Sequence, residues 1–492
     1  MFHSTDMPQE IQETIDLTQK QVEKLGLDIY TTIFELVDYK QLNEIAACGG
    51  FPTRYPHWRW GMEYERLSKS YTYGLSVIYE MVINNDPCYA YLLRSNGLTT
   101  QKTVIAHVYA HCDFFKNNYW FSQTNRKMLD QMANHATIVR HLIDELGYDR
   151  VESFIDKCLS VENLIDLHLP FRPKRDRQEK ENKEFNKVKN DSKSYMESFI
   201  KERKKAAELE KNKQKEQDEP KILFEPEQDV LKYILDYGHL ENWEYALLSI
   251  IRDEAYYFAP QGQTKILNEG WATYWHSRIM TEITPLKSSE IIDYCDQYSS
   301  IVASNSNQLN PYKLGLELLR YVEHRWDTGK YGLEYLKCED HKEKFNWNKA
   351  VGKGQEKLFE VRKYHNDITF LDEFLDEEFC HMFKLFLYDF DPRQGKQVIA
   401  NRNFKDIKKQ LLTQLANFGS PIIKVVDGNF RNRGELLLKH YHERMDLKSD
   451  YALETLSNLY SLWKRPVHLH TVVENIPRQL SFDGSNHSIE KI

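Results

Sequence analysis

His107-Val108-Tyr109-Ala110-His111 sets two imidazoles four residues apart, one turn along a shared helical face. Far downstream, Asn268-Glu269-Gly270-Trp271-Ala272-Thr273-Tyr274-Trp275-His276 adds a carboxylate and a third histidine, seven residues apart and again on one face. Neutral imidazole and carboxylate are the donors a divalent cation takes. The expected ligands are His107, His111 and Glu269, with His276 as a fourth ligand or as the partner of a ligating ring. Zinc is the first expectation for such a set, although iron and manganese accept the same donors. Water on such an ion gives up a proton far more easily than bulk water, so the chemistry to expect is hydrolysis. Glu254, in Arg252-Asp253-Glu254, is the candidate base. Asp113, His135 and Asn268 are candidates for supporting the ligands from behind.

A plainer reading competes at each position. With 18 histidines in 492 residues, one H-x-x-x-H pair is close to what chance supplies. His135 reads more readily as a core histidine, and Glu254 as an ion-pair partner of Arg252. For His276 the two readings are even. The metal reading gains its weight from the number of candidate ligands on helices that pack together. Asn268 to Ala272 also fits the N-E-G-x-A signature that supplies the third ligand in zinc metallopeptidases with H-E-x-x-H. The first motif departs from that pattern, because Val108 stands where those enzymes carry the catalytic Glu.

The elements that must position these residues are mainly helical. Helix is expected over 7–40, 63–80, from Thr99 or Thr100 through His111, and over 125–146, where Gly147 stops it. Two further helices, 228–258 and 264–281, read as a hairpin joined by Ala259-Pro260-Gln261-Gly262-Gln263. That arrangement would bring Glu254 level with Glu269. Asn310-Pro311 opens another helix, with Pro at its favoured first position. From about residue 378 the period shortens. His381 to Tyr388, Pro421 to Val426, Gly434 to Leu438 and Val467 to Val473 read as strands, with helices at 404–417 and 449–462 between them. The expected fold is mainly α: a helical core with zincin-like metal-site helices, plus a small C-terminal α+β domain with an antiparallel sheet. The expected segments are 1–170 (helical, with the histidine pair), 171–220 (a charged linker or exposed helix), 221–375 (helical, with the Asn268–His276 motif) and 376–492 (α+β).

Composition narrows the function. A net charge of −8, from 66 basic and 74 acidic residues, argues against nucleic-acid binding. More than half of 171–220 is charged, but the two signs balance, so that stretch makes no basic patch. No apolar run is long enough to insert in a membrane, and the first residues lack a signal-peptide pattern. The seven cysteines are scattered and include no C-x-x-C pair, which suggests reduced thiols in the cytoplasm.

Several motifs together resemble the SpoVR family, the stage V sporulation protein R-like proteins. They are Trp58-Arg59-Trp60-Gly61-Met62, Ile78 to Asn84, His107 to Asn118, Arg252 to Phe258, the Asn268–His276 segment, Asn310 to Gly315 and Trp463 to Leu469. The resemblance covers nearly the whole chain outside the charged stretch. It implies a cytoplasmic bacterial protein linked to spore cortex and cell-wall formation. It also implies association with a PrkA-type serine kinase and a von Willebrand-type partner. It carries no assigned catalytic activity. Two readings therefore stand: a metal-dependent hydrolase acting on amide bonds, and a non-catalytic regulatory scaffold for the kinase.

Overall fold

The computed structural model describes residues 7–72, 80–172, 226–283, 286–303 and 309–492, save 392, 394 and 444. Nearly all of the charged stretch read as a linker lies outside the described residues. The chain divides into two compact units, each built from two separated stretches: 1–147 with 257–419, and 148–256 with 420–492.

In the first unit, the helix Leu98–Asn117 (the histidine helix) is buried without a break from Thr103 to Phe115. A helix that is apolar on every side belongs in a core. It packs against Gln9–Lys24, against Lys265–Arg278 (the glutamate helix), and against β2 (Glu80–Ile83) and β3 (Cys88–Leu93). The glutamate helix is itself buried over nearly its whole length and lies along Pro311–Thr328. Glycine makes that contact possible. A Cβ on Gly270 would stand 2.4 Å from the Gly315 backbone, and one on Gly315 would stand 2.1 Å from the Ile266 carbonyl oxygen.

A three-stranded sheet, ordered β1-β3-β2, adjoins the histidine helix. β1 (Thr32–Val37) runs parallel to β3, and β2 antiparallel. Its residues alternate between two cores. Cys88, Ala90 and Leu92 join the histidine helix, while Tyr91 and Leu93 join Leu42, Ile45, Phe51, Met128 and Met132. This sheet corrects the expected helices over 7–40 and 63–80. The first helix ends at Lys24, and the β-branched, apolar run Thr32–Val37 pairs as a strand. The second ends at Thr72, and Glu80–Ile83 forms β2. The histidine helix starts after Gly97, earlier than either threonine.

Another correction bears on the site. The expected loop 259–263 is helix. Asn242–Gln263 continues through Pro260, and the single residue Thr264 separates it from the glutamate helix. The sequence reading took Pro260 and Gly262 as loop formers; here the helix tolerates both. The hairpin loop that was to bring Glu254 level with Glu269 is therefore absent. Downstream, Glu377–Met382 is helical where a strand was expected, and β4 (Leu387–Asp391) begins only at Leu387, pairing with β5 (Lys396–Asn401).

The second unit holds a five-stranded sheet, ordered β10-β9-β8-β7-β6. These strands are β6 (Ile423–Phe430), β7 (Glu435–His440), β8 (Val467–Val473), β9 (Ile476–Phe482) and β10 (His487–Lys491). The sheet is mixed, not antiparallel, because β7 and β8 pair in parallel with Leu437 opposite His468. The reason lies in the connection. Ser449–Trp463 lies between β7 and β8 in the chain, and a helical crossover returns the strand in the same direction. That helix buries Leu456, Leu459 and Leu462. The sheet also carries a buried polar chain. The His468 ring nitrogens lie 2.9 Å from Glu435 Oε2 and 2.8 Å from Ser481 Oγ. Gln479 Nε2 donates to Ser481 Oγ at 3.0 Å, and Arg433 Nε lies 2.8 Å from Glu435 Oε1.

Candidate metal centre

His107 and His111 leave the same face of the histidine helix, and Glu269 comes from the glutamate helix beside it. Glu269 Oε2 stands 3.6 Å from His107 Nε2 and 3.5 Å from His111 Nε2. One ligand atom from each of the three lies within 4.8 Å of the others, the arrangement a metal ion needs. Both histidines are buried, while the Glu269 side chain keeps 19% of its surface, so the group meets solvent along the carboxylate.

Each ring has a partner behind it, and for His111 that partner fixes the tautomer. His111 Nδ1 lies 2.9 Å from Asn268 Oδ1. An amide oxygen only accepts, so the ring proton sits on Nδ1 and the Nε2 lone pair faces Glu269. His107 Nδ1 lies 2.8 Å from Nδ1 of His276, a ring fully enclosed in the core. Burial, together with the neighbouring His107 and His111, pushes the His276 pKa well below the ordinary histidine value, so that ring is neutral. With the His107 proton on Nδ1, donated to His276, a second Nε2 lone pair turns toward the carboxylate. Glu269 Oε2 is buried and has no hydrogen-bond partner.

An anion facing two lone pairs at 3.5–3.6 Å repels them unless a cation lies between. Those gaps are too long for direct hydrogen bonds. Donors bound at about 2.1 Å to one tetrahedral ion stand roughly 3.4 Å apart, close to what is seen here. The residues present therefore fit a divalent ion held by three protein donors.

The remaining sequence candidates fall in different places. His276 reaches the group through His107, and Asn268 through His111. Asp113 does not touch a ligating ring. It accepts from Trp271 Nε1 at 3.0 Å, from Arg362 Nη1 at 2.5 Å and from the Asp28 N–H at 2.7 Å. Burial pushes its carboxyl up to about 6 against the pull of Arg362. His135 lies on Met128–Leu146, 2.9 Å from Gln131 of the same helix, and is not one of the three. Glu254 is buried in the second unit.

Sequence reasoning missed the part played by Tyr312, whose ring lies 6.3 Å from that of His107 at 30°. It sits in the Asn310–Gly315 motif, directly after the Pro311 that opens the helix, and a motif without histidine, cysteine or carboxylate gave no metal-ligand signal. Phe115, one turn beyond His111, stacks on that ring at 5.9 Å and 15°.

Among the described residues, no helix is long and apolar enough to cross a membrane. Comparison with known proteins covers almost the whole chain. The family model for SpoVR like protein matches residues 5–420, and the model for the SpoVR-like C-terminal domain matches 421–474. The join between them, after Ser420, falls one residue beyond Gly419, where the last stretch of the first unit ends. A relative from Escherichia coli (strain K12), described as uncharacterized protein YcgB, is 27% identical over 494 residues, covering 94% of this chain and 91% of its own. No solved structure matches. The two matched models account for the motifs along the chain, and the chain belongs to the SpoVR family.

Proposed function

We propose that this chain is a metal-dependent hydrolase of amide bonds, with zinc held by His107, His111 and Glu269. The observation that carries the reading is the buried Glu269 Oε2, which lacks a hydrogen-bond partner and faces two imidazole nitrogens at 3.5 and 3.6 Å. Three protein donors and a partly exposed edge match a catalytic zinc site, where a fourth position stays open. When bound, the ion supplies Lewis acidity and lowers the pKa of water. Asn268 keeps the His111 proton on the nitrogen away from that ion, and a His107 proton donated to His276 would lie on the far side in the same way.

Elemental analysis of protein purified without chelators tests the reading. Near-stoichiometric zinc is expected in the wild type, with background levels in His111→Ala and Glu269→Gln. Equal metal in all three would sink the proposal.

A further inference from the structure

Four residues separate Arg362 from Asp367, and the turn they span grips both ligand-bearing helices. Arg362 Nη1 donates to Asp113 Oδ1 at 2.5 Å, two residues beyond His111 on the histidine helix. Asn118, which ends that helix, donates from Nδ2 to the carbonyls of Arg362 at 2.6 Å and His365 at 3.0 Å. On the other side, the Asp367 carboxylate accepts the backbone N–H of Ile266 on Oδ2 and of Leu267 on Oδ1, both at 2.9 Å.

The second grip replaces a missing cap. The first N–H groups of any helix lack partners within the helix. Thr264 precedes the glutamate helix but caps it with no side-chain bond, because its hydroxyl donates to the Pro260 carbonyl. Asp367, about a hundred residues downstream, supplies the acceptor instead. Its carboxylate also sits at the positive end of the helix dipole. Glu269 follows two residues after the second N–H it holds. Asp367 is 2% exposed and Asp113 fully buried, so neither grip competes with solvent.

We infer that the Arg362–Asp367 turn is a positioning device for the metal site, and that Asp367 sets how far the Glu269 carboxylate stands from the two imidazoles. Neither residue touches the ion. They hold the two helices at the separation where three donors reach one cation. The inference rests on the metal reading above.

Co2+ is the probe, since its visible absorption reports ligand number and geometry. Chelator-treated wild type, Asp367→Ala and Asp367→Asn are titrated with Co2+ alone. Asp376→Ala is the control. Asp376 caps a helix of the same unit by accepting the Phe379 N–H at 2.9 Å, but it has no bond to either ligand helix. Asp367→Ala should bind Co2+ about tenfold or more weakly, as losses behind metal ligands do, and with an altered spectrum. Asp367→Asn, which keeps an acceptor oxygen, should recover part of both and covers the case in which the alanine variant fails to fold. Asp376→Ala should lose thermal stability while binding as wild type does. Wild-type affinity and spectrum in both Asp367 variants would overturn the bracket alone. A wild type that takes up no Co2+ would overturn the metal reading and the bracket with it.

Discussion

His107, His111 and Glu269 in the first unit, and Glu435, His468 and Ser481 in the second, are both buried sets of imidazole and carboxylate. They differ in how their polar atoms are used. In the second set the bonds run in one direction. Gln479 donates to Ser481, Ser481 donates to His468 Nδ1, and His468 Nε2 donates to Glu435, which also meets Arg433. Each group has a protein partner, so the chain is complete within the sheet. In the first set the outer nitrogens are satisfied by Asn268 and His276, while the inward carboxylate oxygen has no hydrogen bond. A polar atom buried without a partner costs about 1–3 kcal/mol. A fold keeps such a cost where something else supplies the missing partner. The lesson is that a histidine–carboxylate cluster points to a ligand through what it leaves unsatisfied, more than through its composition.

Four outcomes would break or sharpen this contrast. The largest concerns metal and stability. Zinc at a thousandfold excess over its dissociation constant should raise the unfolding free energy of the wild type by about 4 kcal/mol. His111→Ala should gain almost nothing, and urea denaturation with and without the ion measures both. Next, His468→Ala should cost about 2 kcal/mol, because it removes one partner each from Ser481 and Glu435 in the sheet. Its metal uptake should match the wild type; a loss of metal there would dissolve the distinction between the clusters. Asn268→Ala should weaken Co2+ binding about tenfold, close to 1.4 kcal/mol, with little change in folding of the ion-free protein.

The smallest effect is on pH. Burial lowers the His468 pKa from its ordinary value despite the neighbouring Glu435. A depressed histidine takes up its proton more readily when unfolded, so its contribution is present above about pH 6.5 and is lost as pH falls. Denaturation at pH 7.5 and 5.5 should show this loss, and His468→Gln should reduce it.

Much of this site was legible in the sequence because its donors sit at helical spacing within short segments. The pair at 107 and 111 needed only a helix to share a face, and Asn268 needed only to precede Glu269. What the sequence hid was long-range. Nothing in its own segment tied Asp367 to two N–H groups a hundred residues away. The strands β1 and β2 were hidden in a different way. Apolar stretches of four to six residues between helices satisfy either period, and only their pairing with β3 decides. The helix over 259–263 was missed because Pro and Gly usually end helices, and a local rule cannot see the packing that overrides them. Residues 423–473 were easier, since β-branched runs there are bounded by turn residues, although direction of pairing depended on the crossover.

The contact between Gly270 and Gly315 carries one more consequence. Ion–donor bonds tolerate a few tenths of an ångström, whereas a single methyl at either position would wedge the two rods apart by far more. The seam beside the glutamate acts as a gauge block: its thickness, fixed by the absence of side chains, sets where the carboxylate comes to rest. Alanine at 270 would therefore shift the glutamate helix, and with it the distance from the Glu269 carboxylate to the two imidazoles.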